Sequence, residues 1–364
     1  SPMADLRKKN GREKPWRLKY FGIGNENWGC GGRMRAEYYA DEVTRYNLYA
    51  RDYGDNKLYR IGAGPRGANY KWTEVMMRDA SMFLDAIALH YYTRVGDKVI
   101  IEYLPDGNER YLRDNSKSRK SATDFDEDQW FGVMKAAAFT DELVSKHIAI
   151  MDQYDPEKKV ALIVDEWGTW FDNEPGTNPG FLYQQNTLRD AVSAGISLNI
   201  FNNHADRIHM TNIAQTINVL QAMVLTEGEK MILTPTYHIY DMYKVHQDAK
   251  LLDFAVLSDN YECGTENLKQ INASVSKDSL GNINATLVNL DPNQMAEVTC
   301  HIADFGMISK VNGTVLTSGA MNTMNTFEHP DQIQPEEFED FVIEGNTIHI
   351  KMPSKSVVLL TVKR

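Results

Sequence analysis

The stretch Ala161-Leu162-Ile163-Val164-Asp165-Glu166-Trp167-Gly168-Thr169-Trp170 decides the architecture. Four consecutive apolar residues, apolar on both parities, predict a strand covered on both faces, as in a parallel sheet flanked by helices. The strand then runs into two carboxylates, so charge sits where the chain leaves the interior. Outward from this point the same texture repeats. Short apolar runs at 18–23, 57–61, 86–90, 160–164 and 197–201 read as strands, with helices over 35–53, 71–82, 125–154, 182–194 and 212–226 between or after them. The helix over 125–154 has a start signal in Thr123 and Asp126, and Thr140-Asp141-Glu142 is read as restarting it as a second helix. Alternation of strand and helix defines an α/β part.

Beyond about residue 235 the pattern changes to β-branched runs at 285–290, 297–302, 311–316, 347–352 and 356–362, separated by Asn, Gly, Asp and Pro turns. This predicts an all-β part, an antiparallel sandwich. The domain expectation is residues 1–234 for the α/β part and 235–364 for the sandwich.

Composition excludes several classes. The 364 residues carry 39 basic and 50 acidic side chains, net −11, and 42% are apolar. The chain can build a core, and its acidic balance argues against binding nucleic acid. It has no apolar run long enough to span a membrane. Cys30, Cys263 and Cys300 are scattered without the spacing of a zinc site and are read as thiols. The sequons at Asn272, Asn284 and Asn312 are read as chance triplets. The amino terminus, Ser1-Pro2-Met3, has no signal-like apolar stretch, so a cytoplasmic location is expected; with no Met at position 1, either the residues before Met3 are foreign to the native start or the chain begins inside a longer gene.

Gly62-Ala63-Gly64-Pro65-Arg66-Gly67 matches a dinucleotide-binding pattern after a strand. Pro65 removes an N–H from the loop that would cradle pyrophosphate. The acidic residue at the right distance, Asp85, opens the next strand instead of ending it, and His90 stands where the ribose carboxylate belongs. A plain glycine-rich connection is the better reading.

A second strand also ends on a carboxylate, in Gly22-Ile23-Gly24-Asn25-Glu26-Asn27-Trp28-Gly29. In parallel α/β architectures chemistry collects at the carboxyl ends of strands. Two Glu residues delivered there, flanked by Trp28, Trp167 and Trp170, suit glycoside hydrolysis, with aromatic faces for sugar rings and walls that exclude water. Each feature alone has a bland alternative, a surface carboxylate or a core tryptophan.

Gly24-Asn25-Glu26 and Asp165-Glu166-Trp167-Gly168 resemble the acid/base and nucleophile motifs of clan A retaining glycosidases. The longer stretches Ala88-Leu89-His90-Tyr91-Tyr92, Glu174-Pro175-Gly176-Thr177-Asn178-Pro179-Gly180-Phe181 and Asn202-Asn203-His204-Ala205-Asp206-Arg207 are similar to glycoside hydrolase family 51, the α-L-arabinofuranosidases. The resemblance covers nearly the whole chain. It implies a (β/α)8 TIM-type barrel followed by a jelly-roll-like sandwich. Glu26 would be the general acid/base at the end of the fourth barrel strand, and Glu166 the nucleophile ending the seventh. Asn25 would bind the sugar 2-hydroxyl, Tyr92 would hydrogen-bond the nucleophile, and Gln215 would reach the sugar after the eighth strand. Core packing is the alternative for Tyr92, a helix surface for Gln215, and a structural histidine for His90. Trp28, His90 and Trp170 complete the candidate substrate-binding set. Retention requires the carboxyl groups about 5 Å apart, one ionised and one protonated at the start, and no metal or organic cofactor.

Family members carry three further strand–helix units before the motif that here starts at Leu18. The expectation is therefore a truncated barrel, strands 4 to 8, with an open cleft and exposed sheet edges that favour association between copies, unless a separate chain supplies the remainder. A thinner sugar-binding wall would relax specificity, since each polar contact discriminates by roughly 1 to 3 kcal/mol. Arabinose- and xylose-containing oligosaccharides are the expected partners, with β-xylosidase side activity. The rival is a weakly active or non-hydrolysing hemicellulose-binding fragment that uses Trp28, Trp167 and Trp170. A nucleotide-dependent oxidoreductase ranks last.

Overall fold

The computed structural model describes residues 1–95, 99–103, 109–113, 120–303 and 305–364. The chain folds as two compact units, one of residues 1–89 and 147–163, the other of residues 90–146 and 164–364.

In the first unit, strands β1 (Tyr20–Ile23), β2 (Tyr59–Gly62) and the start of β3 (Ala86–Thr93) lie side by side, and the β1/β2 and β2/β3 pairs are parallel. The start of β4 (Ala161–Thr169) joins them, with Ala161 N–H donating to Asp85 O at 2.9 Å. Helices α1 (Ala36–Asn47) and α2 (Tyr70–Asp79) connect the strands. Both carry an apolar stripe at helical spacing: Ala36, Tyr39, Ala40 and Val43 are buried on α1, and Trp72, Val75 and Met76 on α2. The Tyr39 hydroxyl donates to Ile23 O and accepts from Ala63 N–H at 2.6 Å, while its ring stacks on Trp72. One side chain thus ties the ends of β1 and β2 to both helices.

The glycine-rich loop after β2 is explained by packing. A Cβ on Gly64 would lie 1.5 Å from Ala88 O, so this position admits no side chain. His147, fully buried, has Nε2 2.9 Å from Gly67 O and Nδ1 2.8 Å from Thr73 Oγ1. A neutral ring with its proton on Nε2 satisfies both contacts.

In the second unit, the remainders of β3 and β4 are followed by β5 (Ile208–Ile213) in the order β3-β4-β5. The sandwich has a six-stranded sheet, ordered Lys250–Leu251, Ile271–Lys277, Ile283–Asn289, Ser356–Lys363, Lys310–Leu316 and Glu336–Glu337, and a three-stranded sheet, ordered Ala296–His301, Thr347–Met352 and Phe341–Glu344. All pairings are antiparallel. Alternate residues Ile348, Ile350 and Met352 meet Leu287, Val358 and Leu360 in one core. Asn284 is buried and accepts from Thr361 Oγ1 at 2.8 Å, and Asn272 accepts from Asn199 Nδ2 at 2.9 Å, so these two sequon amides serve packing.

Three expectations change. The strand at 197–201 and the helix over 182–194 are both replaced by one helix, α4 (Leu188–Asn203), following the long helix α3 (Glu127–Tyr154) in chain order. Every residue from Leu188 to Phe201 is buried, which erases the polar face that marks a helix, and Ile-Phe-rich runs in such a helix look like strands. Its start was locally encoded, since Thr187 and Asp190 form a capping box. The fifth strand is instead β5, whose His209, Thr211 and Asn212 make it too polar to resemble the other four.

The helix expected at 212–226 is also absent: the chain leaves β5, turns, and forms a hairpin of Val224–Glu227 with Lys230–Leu233. Asn218 fastens this turn, its Oδ1 accepting from Thr226 N–H at 2.8 Å. Finally, α3 is one uninterrupted helix. Thr140 is buried in the stripe of Val133, Ala137, Val144 and Met151 and does not cap a new one. The start of α3 lies two residues later than expected, at Glu127, and the capping side chain is Asp126 in place of Thr123, with Asp126 Oδ1 accepting from Gln129 N–H at 2.9 Å.

Burial pushes the pKa of His147 down from 6.5 to about 4, against a smaller lift from Gly67 O. His246, between Ser276 Oγ and Thr286 Oγ1, is likewise pushed down to about 4 by burial. Each neutral ring contributes fully above pH 6.5 and loses its contribution as pH falls toward 4, because the unfolded chain takes a proton that the folded chain refuses. For His147 the loss amounts to about 3 kcal/mol. Urea midpoints measured between pH 7 and pH 4.5 are expected to fall, and His147→Gln is expected to flatten that slope without abolishing it. An unchanged slope refutes the assignment.

Candidate active site

In the first unit, β1 ends at Ile23 and the chain curls around Glu26. Gly29 N–H and Gly31 N–H donate to Glu26 O at 2.7 and 3.0 Å. Asn27 Nδ2 donates to Gly31 O at 3.0 Å, and Met34 N–H to Asn27 O at 2.7 Å. The turn leaves no room at Gly31, where a Cβ would meet Asn25 O at 1.9 Å. Glu26 itself takes φ 46°, a left-handed conformation uncommon for a residue with a side chain and characteristic of positions the surroundings over-determine. Its carboxyl is partly buried, Asn25 is exposed, and Cys30 Sγ donates to Glu26 Oε2 at 3.2 Å. Trp28 is held by its indole N–H, which donates to Gly64 O at 3.2 Å, and by the Arg66 guanidinium 5.6 Å from its ring centroid.

In the second unit, Val164 is buried, Asp165 and Glu166 emerge partly, and Trp167 to Thr169 return to the interior. Tyr92, two residues after His90 on β3, donates its hydroxyl to Glu166 Oε1 at 2.8 Å. His90 Nδ1 lies 3.3 Å from Glu166 Oε2, and His90 Nε2 lies 3.3 Å from Asp165 Oδ1. Both Glu166 oxygens are thus addressed by β3, and the imidazole stands between two carboxylates with only 6% of its side chain exposed. Trp170 packs edge-on against Tyr92 at 4.8 Å, with Arg94 4.4 Å from its ring centroid, and the Trp170 backbone N–H donates to Thr93 O at 3.0 Å. Gln215 follows β5 with an exposed side chain, its backbone N–H donating to Val219 O at 3.0 Å. It lies on a turn, not on the helix surface weighed for it. Of the sequence-picked residues, the structure joins Tyr92, His90, Glu166 and Trp170 in one contact cluster.

Sequence reasoning missed the layer behind this cluster. Gln221 Oε1 accepts from Thr169 N–H at 2.7 Å, and its amide donates to Asp190 O at 2.8 Å. Thr169 Oγ1 donates to Asp190 Oδ1. Burial raises the Asp190 pKa, opposed first by Arg189. The Arg189 guanidinium, pushed down to about 10 by burial, lies against the rings of Phe125 and Phe171 and donates to Ser121 O and Ala122 O. The Thr187-x-x-Asp190 capping box was the one local signal for this layer.

A carboxylate delivered at a strand end and held by neighbouring side chains is an arrangement that suits chemistry, and comparisons with known proteins show which family the chain belongs to. The family pattern of the α-L-arabinofuranosidase C-terminal domain matches residues 165–356, just over half of the chain. An intracellular exo-α-L-arabinofuranosidase of Bacteroides ovatus is 43% identical over 361 residues, 99% of this chain and 66% of the relative. The crystal structure of a family 51 arabinofuranosidase from Xanthomonas axonopodis pv. citri, also 43% identical, superposes with a TM-score of 0.91 over 100% of this chain and 70% of that one. The Thermotoga maritima α-L-arabinofuranosidase in complex with arabinose, at 20% identity and a TM-score of 0.76, shares the fold. The chain belongs to glycoside hydrolase family 51, the α-L-arabinofuranosidases. It spans about half to two thirds of the length of the first curated relatives it matches. The architecture common to these proteins is a barrel-type α/β part with a C-terminal β part.

The Tyr92–Glu166 bond is directly testable. Because hydrogen bonds to charged groups are the strong ones, Tyr92→Phe is expected to lower kcat/KM on an aryl α-L-arabinofuranoside by about ten- to a hundredfold. Its urea midpoint is expected to stay close to that of the unaltered protein. Unaltered kinetics show that the bond has no part in turnover.

Proposed function

We propose that the chain acts as a retaining exo-glycosidase that releases terminal α-L-arabinofuranosyl residues from arabinoxylan- or arabinan-type oligosaccharides. The observation that carries this reading is Glu166, delivered by a buried strand and held at both oxygens by Tyr92 and His90. Glu166, ionised, attacks the anomeric carbon while Glu26 protonates the departing glycosidic oxygen, giving a covalent glycosyl-enzyme. Glu26, now ionised, takes a proton from water as the water oxygen bonds to that carbon and Glu166 leaves. Asn25 binds the 2-hydroxyl, Trp28 and Trp170 offer ring faces to sugars, Gln215 reaches the sugar, and His90 orients Glu166. No step calls for a metal or organic cofactor.

The division of labour in this reading places the chemistry in residues 1–234, with β1 to β5 as barrel strands four to eight, and the β part in 235–364. The Bacteroides ovatus relative is described as intracellular and exo-acting, and others as exo-α-(1→5)- or exo-α-(1→6)-arabinofuranosidases, which supports terminal attack and a cytoplasmic setting. Among the described residues no helix is long and apolar enough to cross a membrane. Self-association belongs to the same proposal: Tyr20 and Phe21 on the edge strand β1 are 46% and 38% exposed, an apolar edge that a second copy would cover. A β-xylosidase side activity is included, because the anomeric centres of the two sugars can be superposed in one pocket.

A mechanism-based arabinofuranosyl inactivator is expected to add its mass to the peptide containing Glu166, and Glu166→Ala to abolish turnover with the fold intact. Retention of more than a few per cent of activity shows the nucleophile to be another residue. If the unaltered chain binds arabino-oligosaccharides but is not labelled, it is a binding fragment. For the side activity, kcat/KM on nitrophenyl arabinofuranoside is expected to exceed that on nitrophenyl xylopyranoside by less than about a thousandfold, two or so lost polar contacts being enough to bring the sugars that close.

A further inference from the structure

We infer that Cys30 is a positioning residue for Glu26, an inference that rests on the acid/base role proposed above. The thiol donates to Glu26 Oε2 at 3.2 Å, across the turn that the two backbone bonds from Gly29 and Gly31 close around Glu26. The geometry is built and not incidental. Cys30 lies between the two residues that donate to the Glu26 carbonyl, and Gly31 cannot carry a Cβ because the backbone of Asn25 fills that space. Glu26 is itself in the left-handed region, which fixes the direction in which its side chain leaves the backbone. Its remaining freedom lies in three side-chain torsions, and the thiol restrains their far end.

The chemistry of the contact matters more than its tightness. A thiol is a weak donor to neutral acceptors, but a donor to an ionised oxygen gains strength as the charge grows. Charge grows on Glu26 while it passes its proton to the leaving oxygen. Cys30 therefore stabilises the transition state most where proton transfer is most advanced, with leaving groups too basic to depart unaided. The other two cysteines have different settings. Cys300 lies on a sandwich strand, and Cys263 donates to Asp128 Oδ1 at 3.4 Å.

The test compares the full chain with Cys30→Ala, Cys30→Ser and Glu26→Gln on a series of aryl α-L-arabinofuranosides running from dinitrophenyl to unsubstituted phenyl. Cys30→Ala is expected to lose about tenfold in kcat on the phenyl substrate and less than about twofold on the dinitrophenyl one, with Cys30→Ser recovering most of the loss because its hydroxyl also donates. An equal loss across the series, or a Ser variant no better than Ala, overturns the inference while leaving the role of Glu26 intact. If Glu26→Gln retains activity on the phenyl substrate, the acid/base reading itself fails and the inference falls with it. A second measurement does not depend on turnover. In the covalent glycosyl-enzyme, trapped with the mechanism-based inactivator, Glu26 is ionised and a carboxylate beside a thiol disfavours the thiolate, so the rate at which iodoacetamide alkylates Cys30 in the trapped protein, followed by mass spectrometry, is expected to be several-fold lower than in the free protein, where Glu26 is protonated. An unchanged rate overturns the contact.

Discussion

The hydroxyl of Tyr92 donates to Glu166 Oε1 while His90 stands 3.3 Å from Oε2, and the arrangement around this carboxylate depends on these two contacts from one neighbouring strand. A carboxylate that emerges from an apolar strand has lost part of its water and needs donors that do not move. Side chains two residues apart on β3 point to the same face of the sheet, so the spacing of His90 and Tyr92 presents both to the same neighbour. The orientation of Glu166 is therefore a property of strand pairing, and loop conformation contributes little to it. Trp170 then stacks edge-on against Tyr92, which fixes the ring that carries the donor.

Behind that pair the polar interior is closed by hydrogen bonds that hold the exit of β4. Gln221 spans Thr169 and the first turn of α4, and Asp190 joins the Thr169 hydroxyl to the capping box at Thr187. Such a network is costly if half made and rigid if complete. Its physical effect is to anchor the chain immediately after Glu166, so the strand end cannot fray where the carboxylate leaves it. In the first unit the anchor is of another kind. Glu26 is placed by a tight glycine turn and by the Cys30 thiol, with Tyr39 and Trp72 fastening the strand that leads to it.

The parts of this protein that were legible in the sequence are those whose burial is one-sided or whose strands are uniformly apolar. The strands around Ile23, Ile61, Ala88 and Val164 fell where expected, as did α1, α2 and the β-branched strands of the sandwich. Both Glu residues were found because a run of apolar residues that ends in a charge marks the point where a strand meets water. The segment from Leu188 to Asn203 was misread as part helix and part strand because full burial leaves no periodicity to detect, and the true fifth strand was hidden by His209, Thr211 and Asn212. The helix expected at 212–226 failed for a similar reason, since an apolar spacing that fits a helix also fits a turn fastened by Asn218.

The sequence by itself determined to which family the chain belongs and which residues stand at the strand ends, because strand ends, glycine turns and the motifs around Glu26 and Glu166 are local properties of the chain. Only the tertiary structure decided how those residues are held. Tyr92 and Glu166 are separated by 74 positions and Thr169 and Gln221 by 52, and no local pattern encodes a contact over such intervals. Even Cys30, four residues from Glu26, could be read from sequence only as a thiol outside any zinc-site spacing. The direction of its side chain depends on a left-handed Glu26 and a turn closed by backbone bonds, and these exist only once the chain is folded.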